Sequence, residues 1–220
     1  MCWSATADLV AGTAITAIGV ACLVRVREAR ELPLAALPLV LGTHQIIEAA
    51  VWRAGGGSGP ATLAWAVVAL PLLAVWVPVA VLLAAPPGAR RRPAVAVAVG
   101  LATSGALAYA LTRRTVTAEI RGHTVGYVID LPYAAPLVAG YLLATVGALL
   151  VGGDRWVRLL GVVVAVGAVL CAALWRLEYV STWCALAAVA SVVLLLRGGA
   201  PDGAVRPAER AAPRGRRPRG

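Results

Sequence analysis

The chain has 220 residues, 60% of them hydrophobic and only 14% charged, with a mean hydropathy of +0.84. Soluble domains lie near 45–50% apolar, so the excess points to a membrane protein. The formal charge of +10 comes from 20 arginines and no lysine, which excludes Schiff-base chemistry, a retinal-type linkage included. The arginines stand between apolar segments and in the tail, so topology accounts for them and a nucleic-acid partner is not read.

A span needs roughly 17–25 mainly apolar residues. Seven stretches qualify: Thr6 to Val26, Leu32 to Trp52, Ala61 to Ala84, Pro93 to Leu111, Pro136 to Val151, Trp156 to Trp175 and Tyr179 to Leu196. The expected fold class is therefore all-α, an integral membrane bundle of seven transmembrane helices over residues 1–197. Pro71 and Pro78 should kink the third span. Residues 198–220 are rich in Arg, Pro, Gly and Ala and read as a disordered tail. No cleavable signal peptide is evident, because the first apolar stretch is too long and no basic segment precedes it.

Arginine counting orients the bundle. One set of connections, tail included, holds fifteen arginines and the other five; without the tail the ratio is still eight to five. The richer side is expected to be cytoplasmic, with the N-terminus outside and the C-terminus inside, a multi-pass protein of the cell membrane. The tail could then meet anionic inner-leaflet lipid, at about 1 kcal/mol per near-surface arginine. Ala96, Gly100 and Ser104 in the fourth span have small-xxx-small spacing, which lets helices approach closely in lipid. The link Arg176 to Glu178 is so short that the last two helices must be antiparallel neighbours.

Residues 112–135 form the longest connection and lie on the outer side. TVTAEI alternates polar and apolar residues, Arg121-Gly122 can turn, and HTVGYVI continues in β-prone residues, so a small external β-hairpin between helices four and five is expected.

The second span is the anomalous one. It holds His44, Gln45 and Glu48 inside an apolar run, and ionisable residues in hydrocarbon cost about 2.5–3.5 kcal/mol on insertion scales. His44, Glu48 and Trp52 share one helix face by their spacing. The orientation places them in the outer half, near Cys2, Ser4 and Asp8 of the first span, His123, Tyr127 and Asp130 of the loop, and Trp183 and Cys184 of the seventh span. An outward-facing polar pocket capped by the hairpin is expected, with Cys2, Ser4, His44, Gln45, Trp52, Tyr127, Trp183 and Cys184 as ligand-binding candidates. Glu48 is the candidate acid and His123 a further catalytic candidate. Plainer roles stand beside these. Glu48 can pair with Arg53 or Arg176, His44 can serve as an interhelical hydrogen-bond partner, and Trp3, Trp52, Trp65, Trp175 and Trp183 can form an aromatic belt. Cys2 and Cys184 share the oxidising side, where they can pair as a disulfide or, with His44 and His123, supply zinc-type ligands. No spacing motif supports a metal site, so no metal and no cofactor is assigned.

The opening MCWSATADLVAG, the segment LPLAALPLVLGTHQIIEAAVW, the WVP of Trp76 to Pro78, the loop HTVGY and EYVSTWCALAA occur in this order. In these segments the chain resembles an uncharacterised bacterial multi-pass membrane family, a domain-of-unknown-function group. The resemblance implies seven helices and marks Cys2, Ser4, Ala5, Gln45, Glu48, Trp52, Trp76, Pro78, His123, Tyr127, Trp183 and Cys184. The sequence departs at His44, where the family has Gln, which shifts weight to Gln45, Glu48 and the two outer cysteines.

Two functions follow as expectations. One is a membrane protein whose outer pocket binds a small molecule or signal. The other is a membrane-embedded acid/base enzyme, cyclase- or hydrolase-like, acting on a lipid or isoprenoid through Glu48. A transporter ranks last, since no inverted repeat and no polar path through the inner half is legible.

Overall fold

A computed structural model describes residues 4–174 and 179–199, with the backbone alone for 171–174, 179–185 and 199. Among the described residues seven helices follow one another: α1 (Ala5–Val24), α2 (Ala29–Arg53), α3 (Pro60–Ala84), α4 (Arg91–Arg113), α5 (Ala134–Leu150), α6 (Arg155–Leu174) and α7 (Tyr179–Gly199). Between α4 and α5 stands a hairpin of β1 (Thr117–Arg121) and β2 (Thr124–Val128). Four of the helices, α1 to α4, are long and apolar enough to cross a membrane. Their outward faces carry Val10, Val20, Val95 and Leu101 in the open, an apolar exterior that suits lipid.

Each helix packs on its sequence neighbours, and α7 closes the ring against α1 and α2, with α3 also touching α5. Helices α1 and α2 cross closely. A Cβ on Gly42 would overlap the Thr16 hydroxyl and come within 2.8 Å of the Gly12 carbonyl. A Cβ on Gly12 would in turn come within 2.8 Å of the Gly42 carbonyl. Small residues at a crossing give dispersion contacts where apolar association has no driving force in lipid. The α3–α4 contact uses the same device, because a Cβ on Gly100 would overlap the Ala74 carbonyl and press Pro78. The buried face of α4 runs through Ala96, Gly100, Thr103, Leu107 and Ala110, while Ser104 of the expected motif is only half-buried.

Two helices contain a π turn. In α3 it covers Val68–Leu72 and contains Pro71, which has no N–H to give and whose ring displaces the carbonyl one turn back. The Leu73 N–H reaches back to the Val68 carbonyl instead. Pro78, by contrast, sits inside regular helix. In α5 the π turn covers Leu143–Gly147, and the Thr145 hydroxyl takes the Tyr141 carbonyl at 2.8 Å.

The two ends of the bundle are fastened differently. At one end Arg197 of α7 binds Asp154 of the α5–α6 link at 2.6 Å and Glu31 at the start of α2 at 3.0 Å. At the other end the loop after α2 joins the hairpin: Gly57 and Ala118 exchange both backbone hydrogen bonds, at 2.8 and 3.0 Å. Gly55, Gly56 and Gly57 all have positive φ, at 75°, 80° and 80°, so the glycine run is what lets this loop lie along β1. The hairpin itself turns at Gly122-His123, one residue later than the sequence suggested, with Gly122 at φ 61°.

Gly42→Ala is expected to lower stability in detergent by about 1–3 kcal/mol through overpacking. Gly105→Ala, on the same chain but with open space around its Cβ, is expected to be neutral or stabilising by up to about 1 kcal/mol. Thermal or denaturant unfolding of the two variants decides it, and equal effects would refute the close-crossing account.

Candidate functional site

The hairpin end of the bundle gathers the polar residues into two adjoining groups. The first is sealed. Glu48 is fully buried, and its Oε1 accepts a hydrogen bond from the Tyr127 hydroxyl of β2 at 3.3 Å. Trp65 of α3, only 1% exposed, stacks flat on the Tyr127 ring at 3.4 Å between centroids and 6° between planes. The same indole meets the His44 ring at 4.9 Å and 39°. Trp65 therefore belongs to the core and not to an aromatic belt, because β2 covers the face that lipid headgroups would otherwise wet. Val51, Val116, Ala118 and Val125 complete this packed layer between α2, α3 and the hairpin.

The second group lines a cavity of about 250 Å³ enclosed by α2, α3, α4, α5 and α7. His44 and Gln45 stand on its α2 wall, with Ala69, Leu107, Val138 and Tyr141 among the residues facing them. His44 Nε2 and Gln45 Oε1 are buried and lack a hydrogen-bond partner. The residues are 6% and 2% exposed. Each such atom costs about 1–3 kcal/mol if left unpaired. Both π turns border the cavity, Ala69 and Leu70 from one and Leu142 beside the other. Tyr141 ties them together by donating to the Ala69 carbonyl at 2.7 Å. π turns shift side chains out of the regular helical register and are frequent at functional sites.

The expected site residues thus have distinct places. Glu48 and Tyr127 meet each other, and neither lines the cavity. His44 and Gln45 line it. Trp52 is half-buried at the edge of the sealed layer, with its indole N–H buried and unpaired. Ser4 caps α1, its hydroxyl oxygen accepting from the Ala7 N–H at 3.1 Å, and is exposed. Asp8, one turn later, is fully buried. His123 is exposed at the hairpin tip. Arg53, offered as a partner for Glu48, is exposed, while Asp130 pairs with Arg114 at 2.6 Å across the base of the hairpin. Cys2 and Arg176 lie outside the described residues, as do the side chains of Trp183 and Cys184 and residues 200–220. Among the described residues no three His, Cys, Asp or Glu side chains converge so as to hold a metal ion. Tyr141 was not foreseen. Its only sequence signal is a lone tyrosine within an apolar span.

Tyr127→Phe should keep the stack on Trp65 but remove the hydrogen bond to Glu48, lowering stability by about 1 kcal/mol. Tyr127→Ala loses the stack as well and should cost about 3 kcal/mol or more. Comparable unfolding midpoints for the two variants would show that the ring contact contributes little.

A model of a family of unknown function (DUF6629) matches residues 1–210, and the chain belongs to that family. No curated protein and no solved structure matches it.

Proposed function

We propose that this family member is a cell-membrane protein with seven transmembrane helices, N-terminus outside and C-terminus cytoplasmic, that binds a small molecule in the cavity beside His44 and Gln45. The observation carrying the binding reading is a mainly apolar cavity of about 250 Å³ whose α2 wall includes two polar residues, His44 and Gln45. Ligand pockets are built this way, with much apolar lining and a few polar groups that fix orientation. The topology is supported by the excess of arginine at the end fastened by Arg197 and by the alternating direction of the helices.

A second reading gives Glu48 an acid/base role in lipid or isoprenoid chemistry. What favours it is the position of Glu48 one helical turn above His44, on the face that looks toward the cavity.

A defined small molecule is expected to leave membranes with the purified wild-type chain and to be found by solvent extraction and mass spectrometry. Gln45→Leu should weaken its retention about tenfold, the worth of one hydrogen bond. Val138→Trp, at the rim of the cavity, should exclude it. Equal recovery from all three proteins, or none from wild type, rejects the binding reading. Turnover of the molecule by wild type but not by Glu48→Gln would move the assignment to catalysis.

The topology has its own test. In a background without native cysteines, Ser58→Cys in the loop after α2 should react with an impermeant maleimide in intact cells. Gly88→Cys between α3 and α4 should react only after lysis. The reverse pattern would invert the orientation.

A further inference from the structure

We propose that the Arg197 end of the bundle carries a site for an anionic phospholipid, its phosphate held by arginines of two adjoining links and an acyl chain lying along the open face of α6. The site stands at the opposite end of the bundle from the hairpin. It rests on the membrane reading of the chain and is independent of the cavity and of what the cavity binds.

Three observations converge. The first concerns the head. The link from α3 into α4 carries Arg90, Arg91 and Arg92, and the link from α5 into α6 carries Arg155 and Arg158. The two links touch, because a Cβ on Gly153 would lie 3.8 Å from the Ala89 Cβ and 4.0 Å from the Pro86 Cδ. Arginines of two separate helices are therefore gathered in one place, and all five are exposed. Membrane topology asks only for arginine somewhere on this side; packing is what collects it. Arg91, Arg92 and Arg158 form no side-chain ion pair among the described residues. Arg90 uses Nε alone, donating to the Ala85 carbonyl at 3.2 Å. Arg155 stands over the Trp156 ring at 5.6 Å, a contact that steadies the guanidinium and leaves its N–H groups to donate. Among the described residues the acids at this end are Glu28, Glu31 and Asp154, and each already holds an arginine, Arg30 in the first case and Arg197 in the other two. Planar guanidinium forks match the paired oxygens of a phosphate.

The second concerns the chain below the head. Arg155 opens a single face of α6 that continues through Leu159, Val162, Val166 and Val169, at helical spacing. All four apolar residues are exposed. From Leu159 to Val169 the stripe runs about 15 Å at 1.5 Å per residue, close to half of a hydrocarbon core of about 30 Å. One leaflet's depth of acyl chain fits along it.

The third concerns the join between charge and apolar surface. On α4, Val95 is exposed one turn from Arg91. The last turn of α5 packs on both α4 and α6, and Leu150 and Val151 are exposed there. Apolar surface thus begins within one helical turn of the guanidinium groups on both helices. A soluble anion or an acidic protein would meet the arginines and leave that surface uncovered. A phospholipid meets both, since its phosphate and its chains are joined at the same spacing.

The test is a titration of the delipidated full-length protein, in neutral detergent, with phosphatidylglycerol and with phosphatidylcholine of identical chains, read by native mass spectrometry. Phosphatidylglycerol should bind about tenfold more tightly at low salt, and the ratio should shrink as salt is raised. Arg91→Gln combined with Arg155→Gln, one from each link, should remove about tenfold of phosphatidylglycerol affinity and leave phosphatidylcholine unchanged. The same loss is expected from Arg92→Gln combined with Arg158→Gln, so either pair serves if the other fails to fold. Arg214→Gln, Arg216→Gln and Arg217→Gln together, in the tail, should leave the preference in place. Excess glycerol phosphate, which has the anion without the chains, should not displace the lipid. Equal affinity for the two lipids, no loss in the folded link variants, a loss in the tail variant as large as in the link variants, or full displacement by glycerol phosphate overturns the proposal. None of these outcomes touches the cavity reading.

Discussion

The fully buried carboxyl of Glu48 is the constraint on which the hairpin end of the bundle depends. A carboxyl inside an apolar bundle must be met by protein groups, since water is not there to meet it. Part of its answer comes from outside the helices, from Tyr127 on the hairpin. The hydroxyl reaches Glu48 only if β2 lies close over α2 and α3. That position is held by the stack of Tyr127 on Trp65 and by the paired backbone bonds of Gly57 and Ala118. The three consecutive positive-φ glycines are thus tied, through two contacts, to the hydrogen bonding of a buried residue in an apolar helix. The external loop is structural before it is anything else.

One turn along α2 from the Glu48 layer, His44 Nε2 and Gln45 Oε1 lack hydrogen-bond partners, as do the indole N–H groups of Trp52 and Trp65 within that layer. His44 meets Trp65 with its ring, and Gln45 stands beside it on the cavity wall. The cavity exists because two helices leave regular register at the same depth. Pro71 forces one π turn, and Tyr141, next to the other, crosses to bond the Ala69 carbonyl.

Much of this was legible in the sequence, for physical reasons. Helix existence followed from apolar runs of spanning length, and the hairpin from period-two alternation around Gly122. Ser4, Gln45, Glu48 and Tyr127 stood out because polar groups in or against apolar runs are costly enough to need a reason. The aromatic and glycine signals were harder to read. Trp65 looks like any interfacial tryptophan until a strand is laid over it, and strand placement is a long-range property. Gly12 and Gly42 are thirty residues apart, so their contact has no local pattern. Ala96, Gly100 and Ser104 have the textual pattern, yet the helix turns Thr103 inward in place of Ser104. Pro71 announces a kink but not a π turn that works with Tyr141 to border a cavity. The single expected polar pocket became two groups for the same reason: spacing assigns residues to a face, and only packing decides which of them is sealed.

The contrast between the two groups bears on function more than either alone. Glu48 lies one turn from His44, yet packing has supplied it with a hydroxyl from a separate element. Leucine or methionine at position 45 would remove one unpaired buried atom, a gain of about 1–3 kcal/mol. His44 has a return inside the chain, because its ring packs on Trp65 and bonds the Trp65 backbone, whereas Gln45 Oε1 is left without a hydrogen-bond partner. The proposed binding role therefore attaches to the cavity beside Gln45, and not to the carboxyl of Glu48, which the hairpin already meets.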